Sequence, residues 1–134
     1  METFVKPMIY NKSRPCSAEQ IAGGTYKNFD YYVLNLGTHP TAYIDVTNSS
    51  LNGSDYMDID INCHGGITWS NSFVRYINKE GWFIGWDYAH YGDYMNYGDA
   101  ALNSMFINDK KWTTEEIVKE CKNVIDQIVE KYCE

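Results

Sequence analysis

The feature that most constrains this chain is its C-terminal stretch, WTTEEIVKECKNVIDQIVEKY. Thr113, with Glu116 three residues on, spells a capping box, in which each side chain accepts from the other residue's backbone N–H. Ile117, Cys121, Val124, Ile125, Ile128, Val129 and Tyr132 then recur at helical spacing with charges between them. That pattern predicts one amphipathic helix over 114–132. Its apolar stripe needs a broad surface to cover, and the rest of the chain offers strands.

YYVLNL (31–36) is strand-like, GTHP follows as a turn signal, and TAYIDV (41–46) alternates as a second strand. In YMDIDINCH, Met57, Ile59, Ile61 and Cys63 alternate with Asp58, Asp60 and Asn62, which predicts a half-buried strand. GWFIGWD (81–87) reads as an aromatic, central strand, ITWS as a shorter one, and 4–9 as a short one near the N-terminus. SAEQIAGG predicts a brief helix capped by Ser17 with Gln20 and stopped by Gly23, and SFVRYINKEG a helical turn. TNSSLNGSD is a polar loop. AHYGDYMNYGDAALNS is an irregular excursion, long enough to expect a function of it. Together these elements define one α+β domain over 1–134: a mainly antiparallel sheet with one long C-terminal amphipathic helix packed on it.

A net charge of −7 with only two arginines, Arg14 and Arg75, argues against wrapping a nucleic-acid polymer, which rewards a basic stripe. No apolar run of spanning length occurs. The N-terminal residues show no signal-peptide pattern, so the expected location is the cytoplasm. The four cysteines (Cys16, Cys63, Cys121, Cys133) have no zinc-binding spacing and read as free buried thiols.

Each of the three histidines sits in a glycine-associated signature at or just beyond a strand end: G-T-H-P (His39), C-H-G-G (His64) and D-Y-A-H-Y-G-D (Asp87, His90, Asp93). Four readings compete. Three imidazoles, or two with Asp87 or Asp93, would suit a metal, but no familiar metal spacing is present. His64 or His90, oriented by Asp87 or Asp93, would suit acid–base chemistry, with Gly65 and Gly66 presenting backbone donors, although no nucleophile motif declares itself. The histidines and glycines would equally line a binding pocket without chemistry. There the amides of Gly65 and Gly66 would hold a phosphate or carbonyl oxygen, Arg75 would supply the fixed cation, and aromatic faces would stack on a base. In the last reading they only shape turns. The preferred reading is the pocket: His39, His64, Gly65, Gly66 and Arg75 for polar contacts, Trp86, Tyr88 and Tyr91 for stacking, and Asp87, His90 and Asp93 for ribose or base. It assigns no catalytic residue, metal or cofactor.

GTHPTAYIDV, DYMDIDINCHGGITWS, GWFIGWDYAHYGDYM and the capped helix occur in that order. Together they resemble a group of small phage- and prophage-encoded proteins with H-G-G-[LI]-T-[YWF] and G-[FW]-D-x-A-H-x-G-D signatures, over roughly residue 31 to the C-terminus. The resemblance implies a phage accessory protein acting in a bacterial host cell. Small acidic phage proteins of this size include counter-defence factors. Some are sponges that sequester nucleotide signals such as cyclic ADP-ribose isomers or cyclic oligonucleotides, and others are inhibitors that contact a host effector. The expectation drawn from it is a nucleotide-derived small-molecule partner held without turnover, in a homo-oligomer whose interface includes the aromatic loop 88–97. A hydrolase using the same histidines and an acidic, anti-CRISPR-like inhibitor are the alternatives.

Overall fold

A computed structural model describes residues 2–10 and 18–133. Six strands form one antiparallel sheet: β1 (Phe4–Val5), β2 (Glu19–Tyr26), β3 (Phe29–Asn35), β4 (Pro40–Asp45), β5 (Trp69–Asn71) and β6 (Phe83–Asp87), in spatial order β1-β2-β3-β4-β6-β5. Two helices follow, α1 (Ala100–Met105) and α2 (Thr114–Tyr132). The expected α+β domain with a C-terminal helix on its sheet is the observed architecture. The capping box at Thr113 and Glu116 is formed. Among the described residues no helix is long and apolar enough to cross a membrane.

Strand parity builds the core. Tyr31 and Val33 on β3, Ala42 and Ile44 on β4, and Ile84 and Trp86 on β6 point to one face, where they meet Ile117, Cys121, Val124, Ile125 and Ile128 of α2. Tyr32, Leu34 and Phe83 point to the other, where Val74 and Ile77 cover them. Lys79 closes that second face by reaching Asp30 and Asp45 at 2.7 and 2.6 Å.

Three local expectations are corrected. The segment expected as a helix is instead β2, whose chain neighbour β3 is joined by Lys27 and Asn28, both at positive φ (48° and 69°). That two-residue primed turn matches the twist of the strands. Gly24 leaves room for the Tyr31 hydroxyl, which would lie 2.6 Å from an added Cβ. A helix would bury neither contact. The expected cap, Ser17, lies outside the described residues.

The alternating segment at 57–63 is not a strand of the sheet. A short 3₁₀ turn occupies Tyr56–Asp58, and Met57 is exposed. Beyond it the backbone bonds to side chains of α2: Asp60 N–H to the Tyr132 hydroxyl (3.0 Å), Asn62 N–H to Gln127 Oε1 (2.8 Å) and His64 N–H to Glu120 Oε1 (3.0 Å). Gln127 Nε2 returns a bond to the Asn62 carbonyl at 2.7 Å. The helix thus supplies donors and acceptors that a neighbouring strand would otherwise give. Residues 73–77, expected as a helical turn, form a tight turn closed by a Val74–Ile77 bridge. β6 is interior but second from the sheet edge.

Of the cysteines, Cys63, Cys121 and Cys133 are free; Cys121 is buried and the other two are half-buried, while Cys16 lies outside the described residues. Burial pushes the Cys63 thiol up to about 12.

Candidate functional site

The three histidine signatures meet at the end of the sheet where β4 begins and β6 stops. His64 and His90 rings lie 5.4 Å apart, edge to face. His90 Nε2 is 3.2 Å from Asp87 Oδ1, and Asp87 shares a cleft with His39. The row His64–His90–Asp87–His39 divides into two parts of opposite character.

The first part is a closed polar knot around Asp93, whose side chain is 4% exposed. Residues 92–94 run beside Lys110, with Lys110 N–H on the Gly92 carbonyl (2.9 Å) and Tyr94 N–H on the Lys110 carbonyl (2.8 Å). This pairing brings Trp112 to the carboxylate. Asp93 Oδ1 accepts from Trp112 Nε1 at 2.8 Å. Its Oδ2 accepts from His90 N–H at 3.0 Å and from His64 Nε2 at 2.7 Å; a carboxylate only accepts, so that nitrogen carries the proton. Burial pushes the Asp93 carboxyl up, but the bonds from His90, His64 and Trp112 outweigh it and hold it below the usual range. The His64 ring is stacked on Tyr88 (4.8 Å between centroids, 5° between planes) and tilted on Trp112 at 4.8 Å.

Gly65 completes the knot. At φ +71° an added Cβ would lie 2.1 Å from His90 Nε2, so only glycine lets the His90 ring pack there. Gly66, at φ +77°, has open space around it, and its N–H closes a turn on the Cys63 carbonyl at 3.0 Å. The two glycines therefore serve packing and turn geometry, and the Gly66 amide is already engaged rather than held ready for a phosphate.

The second part is an open cleft of about 210 Å³, lined by His39, Thr41, Tyr43, Thr68, Trp69 and Asp87 among others. Thr41 and Asp87 face each other directly across β4 and β6. Among the described residues two buried side-chain atoms lack a hydrogen bond: Thr41 Oγ1, in this cleft, and His90 Nε2, at its border with the knot. His90 Nε2 is close to Asp87 but not in hydrogen-bond geometry, and the Thr41 hydroxyl touches the Tyr43 phenol without a directed bond. Such orphaned groups are rare in folded proteins and mark places where a partner is missing. His39 Nδ1 is 2.8 Å from Thr38 Oγ1. Burial holds the His39 imidazole below the usual histidine range despite the charges of Asp87 and Asp93, and burial likewise raises the Tyr43 phenol. The cleft therefore presents neutral His39 and Tyr43 beside the Asp87 carboxylate.

Four expected contacts differ from the sequence reading. Trp86 borders the cleft, but it and Tyr88 are only 2% and 1% exposed and point toward α2, where Trp86 Nε1 donates to the Tyr88 hydroxyl at 3.1 Å. Their ring faces are covered by the core. Arg75 is exposed on the 73–80 turn, over the Tyr76 ring at 5.5 Å. It lines an open groove of about 590 Å³ made of that turn alone, which no histidine lines and on which no second element converges. Tyr91 is fully exposed and flanks a separate cavity of about 280 Å³ with His90, Asp93, Tyr97 and Phe106.

Thr41, Tyr43, Trp69 and Trp112 were missed as site residues. The alternation of TAYIDV puts Thr41, Tyr43 and Asp45 on one polar face, which was the available signal. Trp112 precedes the capping box and carried none. Among the described residues no three His, Cys, Asp or Glu side chains are arranged to hold a metal ion.

The fold and site define a single α+β domain with a polar cleft at one sheet end. Comparison with family models, with curated proteins and with solved structures finds no match for the chain.

Proposed function

We propose that this protein binds and sequesters a nucleotide-derived signalling molecule without turning it over, as a counter-defence protein of the phage type. The observation that carries the binding reading is the cleft itself. Groups from β4, β5, β6 and the turn before β4 converge there, and the buried Thr41 hydroxyl, without a partner among the described residues, lies beside the Asp87 carboxylate. Small-molecule sites are built this way, from a concave surface with a few fixed polar groups. The phage setting rests on the sequence resemblance alone.

A second reading, an acid–base hydrolase, is favoured by one feature: His64 Nε2 lies 2.7 Å from Asp93. Against it, the carboxylate is filled by three donors, and Tyr88, Trp112 and His90 pack around the imidazole. An orienting carboxylate in that state behaves as a fastener.

The test is a thermal-shift screen against cyclic ADP-ribose isomers and cyclic oligonucleotides, followed by denaturation and mass spectrometry of the released ligand. A sequestering protein gains about 2.7 kcal/mol at a hundredfold excess over Kd and returns the ligand intact. A cleaved ligand would make the protein an enzyme. No shift with any of them would remove the nucleotide reading.

A further inference from the structure

We infer that the cleft between β4 and β6 is a sugar site, in which Asp87 accepts from both hydroxyls of a furanose vicinal diol while phosphate groups stay outside. The inference rests on the small-molecule reading above, but not on the ligand's being a cyclic nucleotide.

Electrostatics decide against phosphate. Among the described residues no lysine or arginine lines the cleft. Lys79 is committed to Asp30 and Asp45, and Lys110 to Glu116. Asp87 would repel an anion, and neutral His39 would not attract one. A carboxylate with spare acceptor capacity suits hydroxyl donors instead, as acidic residues do with ribose in dinucleotide-binding folds. Asp87 has that capacity: among the described residues it accepts only the Ala89 N–H, at 3.2 Å, through Oδ1, and Oδ2 has no donor.

Shape decides between sugar and base. A base needs two parallel aromatic walls or one open face. Here Tyr43 and Trp69 are packed on each other at 78°, and Trp86 is buried. Such a corner offers no pair of parallel walls to sandwich a base, while its apolar surface suits the C–H side of a sugar ring. The volume, about 210 Å³, falls below the roughly 300–1,000 Å³ of sites that enclose a whole drug-sized ligand, so one ring enters and the remainder lies at the mouth. The Thr41 hydroxyl, 5% exposed and unpaired, faces Asp87 across the strands and gains its missing partner from a ring hydroxyl.

The diol could belong to a nucleoside or to a free or glycan sugar. Amide and indole chemical-shift mapping distinguishes them, using adenosine, 2′-deoxyadenosine, methyl β-ribofuranoside and inorganic pyrophosphate on the intact chain. Adenosine is expected to move the signals of His39, Thr41, Trp69 and Asp87. The 2′-deoxy compound should bind about ten-fold more weakly, the loss of one hydrogen bond to a charged group, and pyrophosphate should leave the cleft signals still. Methyl riboside binding as well as adenosine would make the source any furanose. Asp87→Asn should weaken adenosine about ten-fold, and Thr41→Val, which keeps the shape, somewhat less. Equal binding of 2′-deoxyadenosine, or shifts mapping elsewhere, would overturn the diol site. Cyclic ADP-ribose stabilising the protein without cleft shifts would sink the cleft but keep the sequestration proposal. Adenosine bound at the cleft, with no cyclic nucleotide stabilising the protein, would do the reverse.

Discussion

Asp87, at the end of β6, and Asp93, in the loop that follows, stand six residues apart, each beside a histidine, and they live in opposite worlds. Asp93 is nearly inaccessible and accepts three directed hydrogen bonds. Asp87 is about a third exposed and accepts one long bond. His90 belongs to both, giving its backbone N–H to Asp93 and laying its ring, unbonded, against Asp87. The contrast teaches how to divide a histidine-rich region. Where every donor and acceptor is paired, the polar groups hold loops together. Where buried groups are left unpaired around a space, the fold tolerates an expense of about 1–3 kcal/mol per group, and a ligand is the natural way to relieve it.

The largest expected effect breaks the knot. Asp93→Ala strands the donors of Trp112, His64 and His90, so stability should fall by about 3 kcal/mol in urea unfolding. Asp87→Ala should stay within about 1 kcal/mol while adenosine binding is lost. Comparable destabilisation by the two variants would erase the distinction between knot and cleft.

Gly65 and Gly66 sharpen it further. Both have positive φ, so an alanine at either pays about 1–2 kcal/mol of backbone strain. Only Gly65→Ala also drives a methyl into the His90 ring, which is confined by His64 and Asp87. It should lose about 1–2 kcal/mol more than Gly66→Ala. Equal losses in denaturant titrations would mean that His90 swings away freely.

These glycines also show what the sequence made legible. C-H-G-G marked the location of the site but misread the purpose, because a glycine needed for a neighbour's ring looks the same as one needed for a phosphate. The α2 helix was readable from its capping box and stripe, since both signals are local. β2 was not, because its strand pairing is with residues beyond the turn at Lys27 and Asn28, and the S-A-E-Q sequence spells the same signal as a capping box. The 57–63 segment alternates as a strand does, yet its partner is a helix side: Glu120, Gln127 and Tyr132 satisfy its backbone. Period two reports an extended chain, not what it pairs with. Whether the histidines converge was not legible in the sequence, and the Thr41–Asp87 register that shapes the cleft is likewise a long-range fact.

Titration separates the two regions by pH. His39 has its folded pKa lowered by burial, so the folded state binds fewer protons there. Stability should begin to fall as pH drops below the unfolded histidine value, about 6.5, and the loss ends below the folded pKa. Asp93 is also lowered, but from a carboxylate's unfolded value of about 3.9. Its contribution is intact above that value and disappears as pH falls through the folded pKa. Urea midpoints across pH 3–8 should therefore show two declines. His39→Gln should remove the upper one and Asp93→Asn reduce the lower, which the also lowered Asp30 and Glu116 carboxyls share. A single decline, insensitive to His39→Gln, would mean that the imidazole is hydrated when the protein is free.

The smallest effect is the most discriminating, because its sign is unusual. Thr41 Oγ1 is buried and unpaired, so Thr41→Val replaces a desolvated hydroxyl by a methyl of nearly equal size. Elsewhere in a core such a change removes a satisfied hydrogen bond and destabilises. Here nothing is lost on the protein's side, and stability should hold or rise by up to about 1 kcal/mol. The same variant should bind adenosine more weakly, since the hydroxyl's partner is the ligand. Asp45, two strand positions on the same face as Tyr43, provides the contrast: it is bonded by Thr47 at 2.6 Å and paired with Lys79, and Asp45→Asn should cost stability without touching the cleft. If Thr41→Val lost stability as an ordinary buried threonine does, the hydroxyl would be bonded in the free protein, most directly to Tyr43, and the cleft would be as closed as the knot beside it.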